Sequence, residues 1–173
     1  MQSTRRSFVV GAAVHAGLIA LPPPARGQDK SLAAMPSLSG RTLSGRTLSL
    51  ASLRGKVVLL WFWSTDCAVC RDVLPELRAN YSGWKGKAFE LITVATDLNV
   101  DDLRTYERIV QAIVPLADTI PSLWRRDATT RDNFPVRLTM PTAFLIDLNG
   151  RIVETYVGRI PSEAWDRIAE LLP

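Results

Sequence analysis

Short apolar runs alternate with amphipathic stretches along most of this chain of 173 residues. Residues 55–63 (GKVVLLWFW) and 89–96 (FELITVAT) are almost continuously apolar, which is typical of strands buried on both faces. The stretch from Cys67 to about Trp84 and residues 101–114 instead repeat apolar positions at helical spacing. We therefore predict a strand, a helix, a second strand and a second helix in this order.

The C-terminal third continues with a strand pair and a helix. Residues 142–147 and 151–157 have strand patterns and are joined through Asn149-Gly150, a strong hairpin signal. Residues 161–172 predict a closing helix with Pro161 near its first turn. A βαβ unit followed by ββα predicts an α/β fold, with a central mixed sheet flanked by helices on both faces.

The N-terminus has the pattern of a bacterial export signal. Arg5-Arg6 precede an apolar run at about 8–21, and a segment rich in proline and small residues follows to Gly27. This predicts a twin-arginine-type signal over residues 1–27, cleaved after Ala25 or Gly27. The run of about 14 residues is short for a membrane span of roughly 30 Å, although an uncleaved signal acting as an anchor stays open. We therefore expect a periplasmic protein.

Removal of the signal changes the charge of the chain. The formal net charge is +4, and cleavage after Gly27 removes Arg5, Arg6 and Arg26 without any acidic residue, which leaves +1. A nearly neutral domain gives no support for binding to nucleic acid or to an anionic membrane.

A short duplication precedes the first long strand. Leu38-Ser39-Gly40-Arg41-Thr42 is repeated at residues 43–47. We interpret residues 28–47 as a flexible leader or extended arm, with a hairpin feeding residues 48–53 as the alternative, and residues 48–173 as the folded domain. About 145 residues suit one hydrophobic core.

Cys67 and Cys70 are the only cysteines, and they lie where the apolar strand gives way to the predicted helix. The free N–H groups and the positive end of a helix dipole stabilise a thiolate on the first cysteine, and the second can resolve a mixed disulfide. A structural zinc site would need more ligands than the single His15 can add. A c-type haem would need His where Arg71 stands, and a structural disulfide closing so short a loop would stabilise weakly. We expect redox chemistry, with no metal and no cofactor.

Three motifs resemble one family. They are Leu53-Arg54-Gly55-Lys56-Val57-Val58, then Phe62-Trp63-Ser64-Thr65 with Cys67-x-x-Cys70-Arg71, and Met140-Pro141-Thr142-Ala143-Phe144-Leu145-Ile146-Asp147. In these the chain resembles the TlpA/ResA-type thioredoxin-like family of exported thiol–disulfide oxidoreductases, from about Leu48 to the C-terminus. The resemblance implies a thioredoxin-like fold.

The resemblance also implies roles for individual residues. Cys67 would be the attacking thiol and Cys70 the resolving thiol. Pro141 would be the family's cis-proline, which aligns the partner's backbone beside the cysteine pair, and the side chain of Met140 would face the disulfide. Trp63 is expected mainly in the core or at its rim, where it could line the partner groove.

The chain also departs from the family pattern. Asp66 replaces the usual tryptophan before the first cysteine, and its carboxylate disfavours a thiolate at Cys67, although it is expected chiefly to cap the helix. Ala68-Val69 contains no proline, so we expect a relatively stable disulfide and a reducing couple. Arg71 would favour the thiolate or guide an acidic partner, unless it is only a solvated helix residue. No carboxylate base can be assigned to Cys70.

The leading hypothesis is a periplasmic reductase of protein disulfides, such as those of apocytochrome c haem sites. Its partners would be disulfide-bearing exported proteins and a membrane thiol donor of the DsbD/CcdA type. A thiol-dependent peroxidase is an alternative, since peroxiredoxins share the fold, but their Pro-x-x-x-Thr-x-x-Cys site is absent. A binding or chaperone module without catalysis is the third hypothesis.

Overall fold

The apolar run at 55–63 forms the central strand of the molecule. The computed structural model describes residues 35–115, 119–135 and 137–173, and in it all seven residues of the strand β3 are buried. The strands are β1 Leu38–Arg41, β2 Thr47–Ser49, β3 Val57–Trp63, β4 Phe89–Ala95, β5 Ser122–Trp124, β6 Arg131–Asp132, β7 Thr142–Ile146 and β8 Ile152–Val157. The helices are α1 Ala68–Gly83, α2 Val100–Gln111 and α3 Glu163–Leu171, with a 3-10 helix at Leu50–Leu53. Each strand and helix that we predicted is present, with bounds shifted by no more than three residues.

Five strands form the main sheet in the order β5-β4-β3-β7-β8. β3 pairs in parallel with β4 and antiparallel with β7, so the sheet is mixed, as predicted. β7 and β8 form the predicted hairpin, in which the N–H of Gly150 donates to the carbonyl of Asp147 at 2.8 Å. The predicted α/β class is therefore confirmed.

The two faces of the sheet are covered differently. All three helices add buried side chains to a cluster on one face, among them Leu77 of α1, Leu103 of α2 and Ile168 of α3. On the other face, Val58, Leu60 and Phe62 pack against residues from outside the three α-helices. The members of this second cluster that precede β3 or follow β5 are Leu38, Leu50, Phe134, Phe144 and Ile146.

The three α-helices thus lie on one face, and the described residues place only the 3-10 helix, through Leu50, on the other face. The reason lies in the strand order. The chain moves in the same direction from β3 to β4 and from β4 to β5, and right-handed crossovers then put α1 and α2 on the same face.

The duplicated segment is part of the folded unit. β1 pairs antiparallel with β2 and with β6, forming a second sheet of three strands, and Leu38 is only 2% exposed. Because β1 and β2 are part of the compact unit, the boundary expected at residue 48 falls inside it. The flexible leader expected at 28–47 is therefore wrong for residues 38–47, and the alternative of a hairpin is correct. Pairing with β6, more than 90 residues away, was not visible in the local pattern.

The predicted export signal at 1–27 lies outside the described residues. Within residues 35–173, apart from the short gaps given above, no helix combines the length and apolarity that a membrane span requires.

Candidate active site

Three loops meet at one edge of the main sheet. Trp63 at the end of β3 lies beside Ala95 at the end of the parallel strand β4, and Phe62 lies beside Thr142 at the start of the antiparallel strand β7. The segment leading to Cys67, the segment after β4 and the segment before β7 therefore converge. Polar side chains at strand ends of this kind are the usual place for a site in an α/β protein.

Cys67 and Cys70 form a disulfide with a Cα–Cα distance of 5.2 Å. Cys67 is the N-cap residue of α1, and its Sγ accepts a hydrogen bond from the backbone N–H of Cys70 at 3.1 Å. Cys67 is partly exposed, whereas Cys70 is 0% exposed. A partner can therefore reach the sulfur of Cys67, and the helix N-terminus stabilises negative charge there.

The structure corrects the capping role expected for Asp66. Helix α1 begins at Ala68, so the N-cap position belongs to Cys67 and its sulfur takes the place of a capping oxygen. The Asp66 side chain is exposed, and its carboxylate accepts a hydrogen bond from the hydroxyl of Ser64 instead. The carboxylate next to Cys67 is thus held within the loop, without a helix N–H as its partner.

Arg71 supports the same loop. Its Nη1 donates to the carbonyl of Thr65 at 2.7 Å, which ties the first turn of α1 to the segment before Cys67. The side chain is otherwise exposed. The alternatives of thiolate stabilisation and partner guidance remain predictions.

Asp97, two residues after the end of β4, is a site residue that the sequence reasoning missed. It is 7% exposed, and its Oδ1 accepts hydrogen bonds from the backbone N–H (2.9 Å) and the hydroxyl of Thr65. Its backbone carbonyl accepts a hydrogen bond from the indole N–H of Trp124 at 2.9 Å. Among the described residues, no donor reaches its buried Oδ2. The available signal was an acid at the end of a parallel strand beside β3.

The peptide bond between Met140 and Pro141 is cis, as the resemblance implied. Met140 is partly buried against both core clusters, and its Sδ lies 3.8 Å from the hydroxyl of Thr96. The same hydroxyl donates to the carbonyl of Trp63 at 3.0 Å, so Thr96 connects the cis-proline loop to the end of β3.

Trp63 does not line a partner groove. The side chain is 1% exposed, stacks on Trp61 at a centroid distance of 5.9 Å and meets the ring of Tyr106 edge-on at 5.2 Å. The alternation of a strand directs this position into the helical face of the sheet. Val69, between the two cysteines, is a large apolar residue that is 44% exposed.

The site contains no arrangement for a metal ion. Within the described part of the chain, no group of three or more His, Cys, Asp or Glu side chains is placed to hold one. The two sulfurs of Cys67 and Cys70 can perform thiol–disulfide exchange.

Comparison with known proteins shows the family to which this chain is similar. A model of the AhpC/TSA family matches residues 32–155. The thioredoxin-like protein YneN of Bacillus subtilis is 31% identical over 137 residues, which are 79% of this chain and 76% of that protein. The thiol-disulfide oxidoreductase ResA of Halalkalibacterium halodurans is 28% identical over 130 residues, covering 75% of this chain and 70% of the relative.

The fold agrees with a solved structure. The crystal structure of a thiol:disulfide interchange protein of the thioredoxin family from Chlorobium tepidum superposes with a TM-score of 0.60 at 25% identity, covering 78% of this chain and 92% of that one. The resemblance to TlpA/ResA-type proteins stated from the sequence is confirmed. The chain therefore belongs to the AhpC/TSA family of thioredoxin-like proteins, within which it is a thiol–disulfide oxidoreductase.

Proposed function

We propose that this oxidoreductase works outside the cytoplasm and reduces disulfides of other exported proteins through Cys67 and Cys70. The observation that carries the proposal is the unequal exposure of the bonded pair, in which Cys67 is partly accessible at a helix N-cap and Cys70 is fully buried. A thiol exchanged with a large partner must be reachable, and the resolving thiol must be close but shielded.

The reaction is two successive exchanges. The thiolate of reduced Cys67 attacks one sulfur of the substrate disulfide, that S–S bond breaks, and the substrate's other sulfur leaves as a thiolate. Cys70, after losing its proton, attacks Sγ of Cys67 and releases the second substrate sulfur. The substrate gains two electrons and two protons as a dithiol, and the enzyme holds the Cys67–Cys70 disulfide.

The described residues contribute position and electrostatics to these steps. The N–H of Cys70 points at Sγ of Cys67, and this donor stabilises the anion before attack. Asp97 and Arg71 hold Thr65 from two sides and so fix the approach of the loop to the N-cap. Return to the dithiol requires a thiol donor, for which a membrane protein of the DsbD/CcdA type is the proposed source.

The reducing direction is supported by the residues around Cys67. The carboxylate of Asp66 adjoins it in sequence, and Ala68 and Val69 offer no polar side chain, so the thiolate receives less help than in a strong oxidant. We expect a potential nearer the roughly −270 mV of thioredoxin than the roughly −120 mV of DsbA. Equilibration with glutathione, followed by quantification of the two redox forms, gives the value, and a result near the DsbA end contradicts the reductase assignment.

Location outside the cytoplasm is proposed from the twin-arginine pattern at residues 1–27. Cell fractionation tests this location, and the Arg5→Lys, Arg6→Lys double variant tests the export route. Retention of this variant in the cytoplasm, while the unchanged chain is exported, is the expected outcome. Equal export of both contradicts the twin-arginine route.

The exchange chemistry is tested by reduction of insulin disulfides. Cys67→Ser should abolish turnover, whereas Cys70→Ser should accumulate mixed disulfides that a non-reducing gel displays. Full turnover by the Cys67 variant contradicts the mechanism.

Peroxide consumption with a thiol donor, measured on the same preparations, distinguishes a thiol-dependent peroxidase from a disulfide reductase. Partner binding retained by the double-serine variant, from a protein that shows no thiol exchange, would favour the binding module.

A further inference from the structure

A groove lies beside the cis-proline loop. Its volume is about 740 Å³, and its apolar part is formed by Phe134, Leu138 and Met140. Arg126 and Arg137 also line it, and both are exposed. An apolar floor with cationic side chains on its border suits a chain segment that carries both apolar and acidic residues.

The arginines of the groove differ in what they contact. Arg125 is held by Asp132 through two contacts of 2.9 and 2.7 Å, and it also donates to the carbonyl of Phe134 at 3.0 Å. Its charge is therefore compensated. Arg126 and Arg137 form no ion pair and no hydrogen bond within the part of the chain that the structure describes. The groove thus keeps two positive charges for an external group.

The groove is continuous with the reactive edge of the sheet. Met140 lines the groove and directly precedes Pro141. Thr96 lines it as well, and its hydroxyl bonds to the carbonyl of Trp63, four residues before Cys67. A polypeptide whose disulfide reaches Cys67 therefore has its flanking residues beside this groove.

We propose that the groove binds an acidic segment flanking the disulfide of the substrate protein, with Arg126 and Arg137 contacting its carboxylates. This inference rests on the proposed function and names the substrate class. Arginine suits the role because its planar guanidinium meets a carboxylate through two parallel hydrogen bonds. Opposite charges at the border also select the partner and speed its approach.

The test uses three synthetic peptides with the same cystine loop and flanks that carry Glu, Gln or Lys. Wild-type protein should reduce the Glu peptide with a kcat/KM about tenfold above that of the Gln peptide at low salt, the size expected for two exposed charge pairs. The advantage should shrink at high salt, and the Lys peptide should be the poorest substrate.

The variant R126Q/R137Q should remove the preference, so that it reduces the Glu and Gln peptides with the same kcat/KM. R151Q is the matched control, because Arg151 is exposed beyond the opposite end of β7 and its side chain makes no ion pair or hydrogen bond with a described residue. The control should keep the full preference. An equal preference in wild type and R126Q/R137Q overturns the proposal.

A binding measurement tests the acidic segment independently of disulfide reduction. Versions of the peptides with Ala in place of the cystine are titrated into the oxidised protein, where the Glu version should bind about tenfold tighter than the Gln version. Failure to reduce any peptide would refute the proposed function, and the affinities would still decide the docking. Equal affinities for the Glu and Gln versions contradict the acidic segment.

Discussion

Oδ1 of Asp97 accepts hydrogen bonds from both the backbone N–H and the hydroxyl of Thr65. Thr65 lies two residues before the reactive cysteine, and Asp97 lies at the end of the neighbouring parallel strand. The position of Cys67 therefore depends on a side chain that comes from a different strand. This dependence can be measured.

Asp97→Ala should lower the free energy of unfolding by about 1–3 kcal/mol, because it leaves a partly buried N–H and hydroxyl without their acceptor. Asp97→Asn keeps an oxygen at that place and should lose less. Urea unfolding of the oxidised proteins gives both values. The alkylation rate of Cys67 in the reduced proteins should change more in the alanine variant than in the asparagine variant.

Two results would contradict this role for Asp97. One is equal stability of the alanine and asparagine variants. The other is an unchanged alkylation rate of Cys67 in Asp97→Ala, which would mean that the loop keeps its geometry without the carboxylate.

Trp63 should act on stability, without a contribution to partner binding. Trp63→Ala removes a fully buried ring that contacts Trp61 and Tyr106, and a loss of about 3–5 kcal/mol is expected. Trp63→Phe should be milder and leave KM for a protein substrate unchanged. Val69→Ala is the matched surface change near the disulfide and should alter stability by less than about 0.5 kcal/mol. A raised KM in Trp63→Phe with unchanged stability would contradict this prediction and indicate that Trp63 contacts the partner.

Glu107 should give the stability a measurable pH dependence. Burial raises its pKa above the ordinary value of 4.5, and Arg78 offsets part of this effect. The folded state then holds the proton more tightly than the unfolded state, so the stabilisation contributed by protonated Glu107 is full below about pH 4.5 and is lost as the pH rises through the folded pKa. Glu107→Gln removes this fall, and its stability relative to wild type should improve between acidic and neutral pH.

Asp127 provides a control, because its effect on the pH dependence of stability has the opposite sign to that of Glu107. The hydroxyl and the backbone N–H of Thr129 donate to its carboxylate and lower its pKa. Its ionised form therefore stabilises the folded state at neutral pH, and this contribution is lost on acidification. Asp127→Asn should weaken the protein relative to wild type only at the higher pH. Urea unfolding at several pH values gives the free energy of unfolding of each variant relative to wild type. The same change of this difference with pH in both variants would contradict the assignments.

Gly40 is expected to resist substitution because β1 lies close to the segment before β6. A Cβ at this position would be 2.8 Å from Oγ1 and 3.1 Å from Cα of Thr130, so backbone would have to move. Gly40→Ala should cost about 1–3 kcal/mol. Gly83→Ala is the control, since nothing lies within 4 Å of its Cβ and alanine is favoured in a helix by up to about 1 kcal/mol. Equal thermal unfolding midpoints would contradict the close approach.

The sequence predicted those parts of the fold that have a strong local period. β3, β4, β7, β8 and the three helices follow from apolar runs, amphipathic stretches and the Asn149-Gly150 turn. β5 and β6, with three and two residues, are too short to carry a pattern of their own. Their pairing depends on distant partners, β4 in one case and β1 in the other.

The site was predicted where the chemistry is carried by motifs. The cysteine pair and the cis peptide bond before Pro141 were found from the sequence. The capping role of Asp66 was assigned wrongly because a shift of one residue in a helix start depends on tertiary packing. Trp63 lies in the core, one of the two expected places, and only its possible place in the partner groove was wrong. Asp97 was missed because its partner Thr65 is 32 residues away along the chain.

The two copies of Leu-Ser-Gly-Arg-Thr have the same sequence and different structural environments. Leu38 is buried in β1, while Leu43 is 38% exposed and Gly45 has a positive φ of 85° in the turn that follows. Deleting either copy gives the same shortened chain, because the repeat is perfect. In that chain a single pentapeptide would have to supply both strand β1 and the turn, so the hairpin requires both copies.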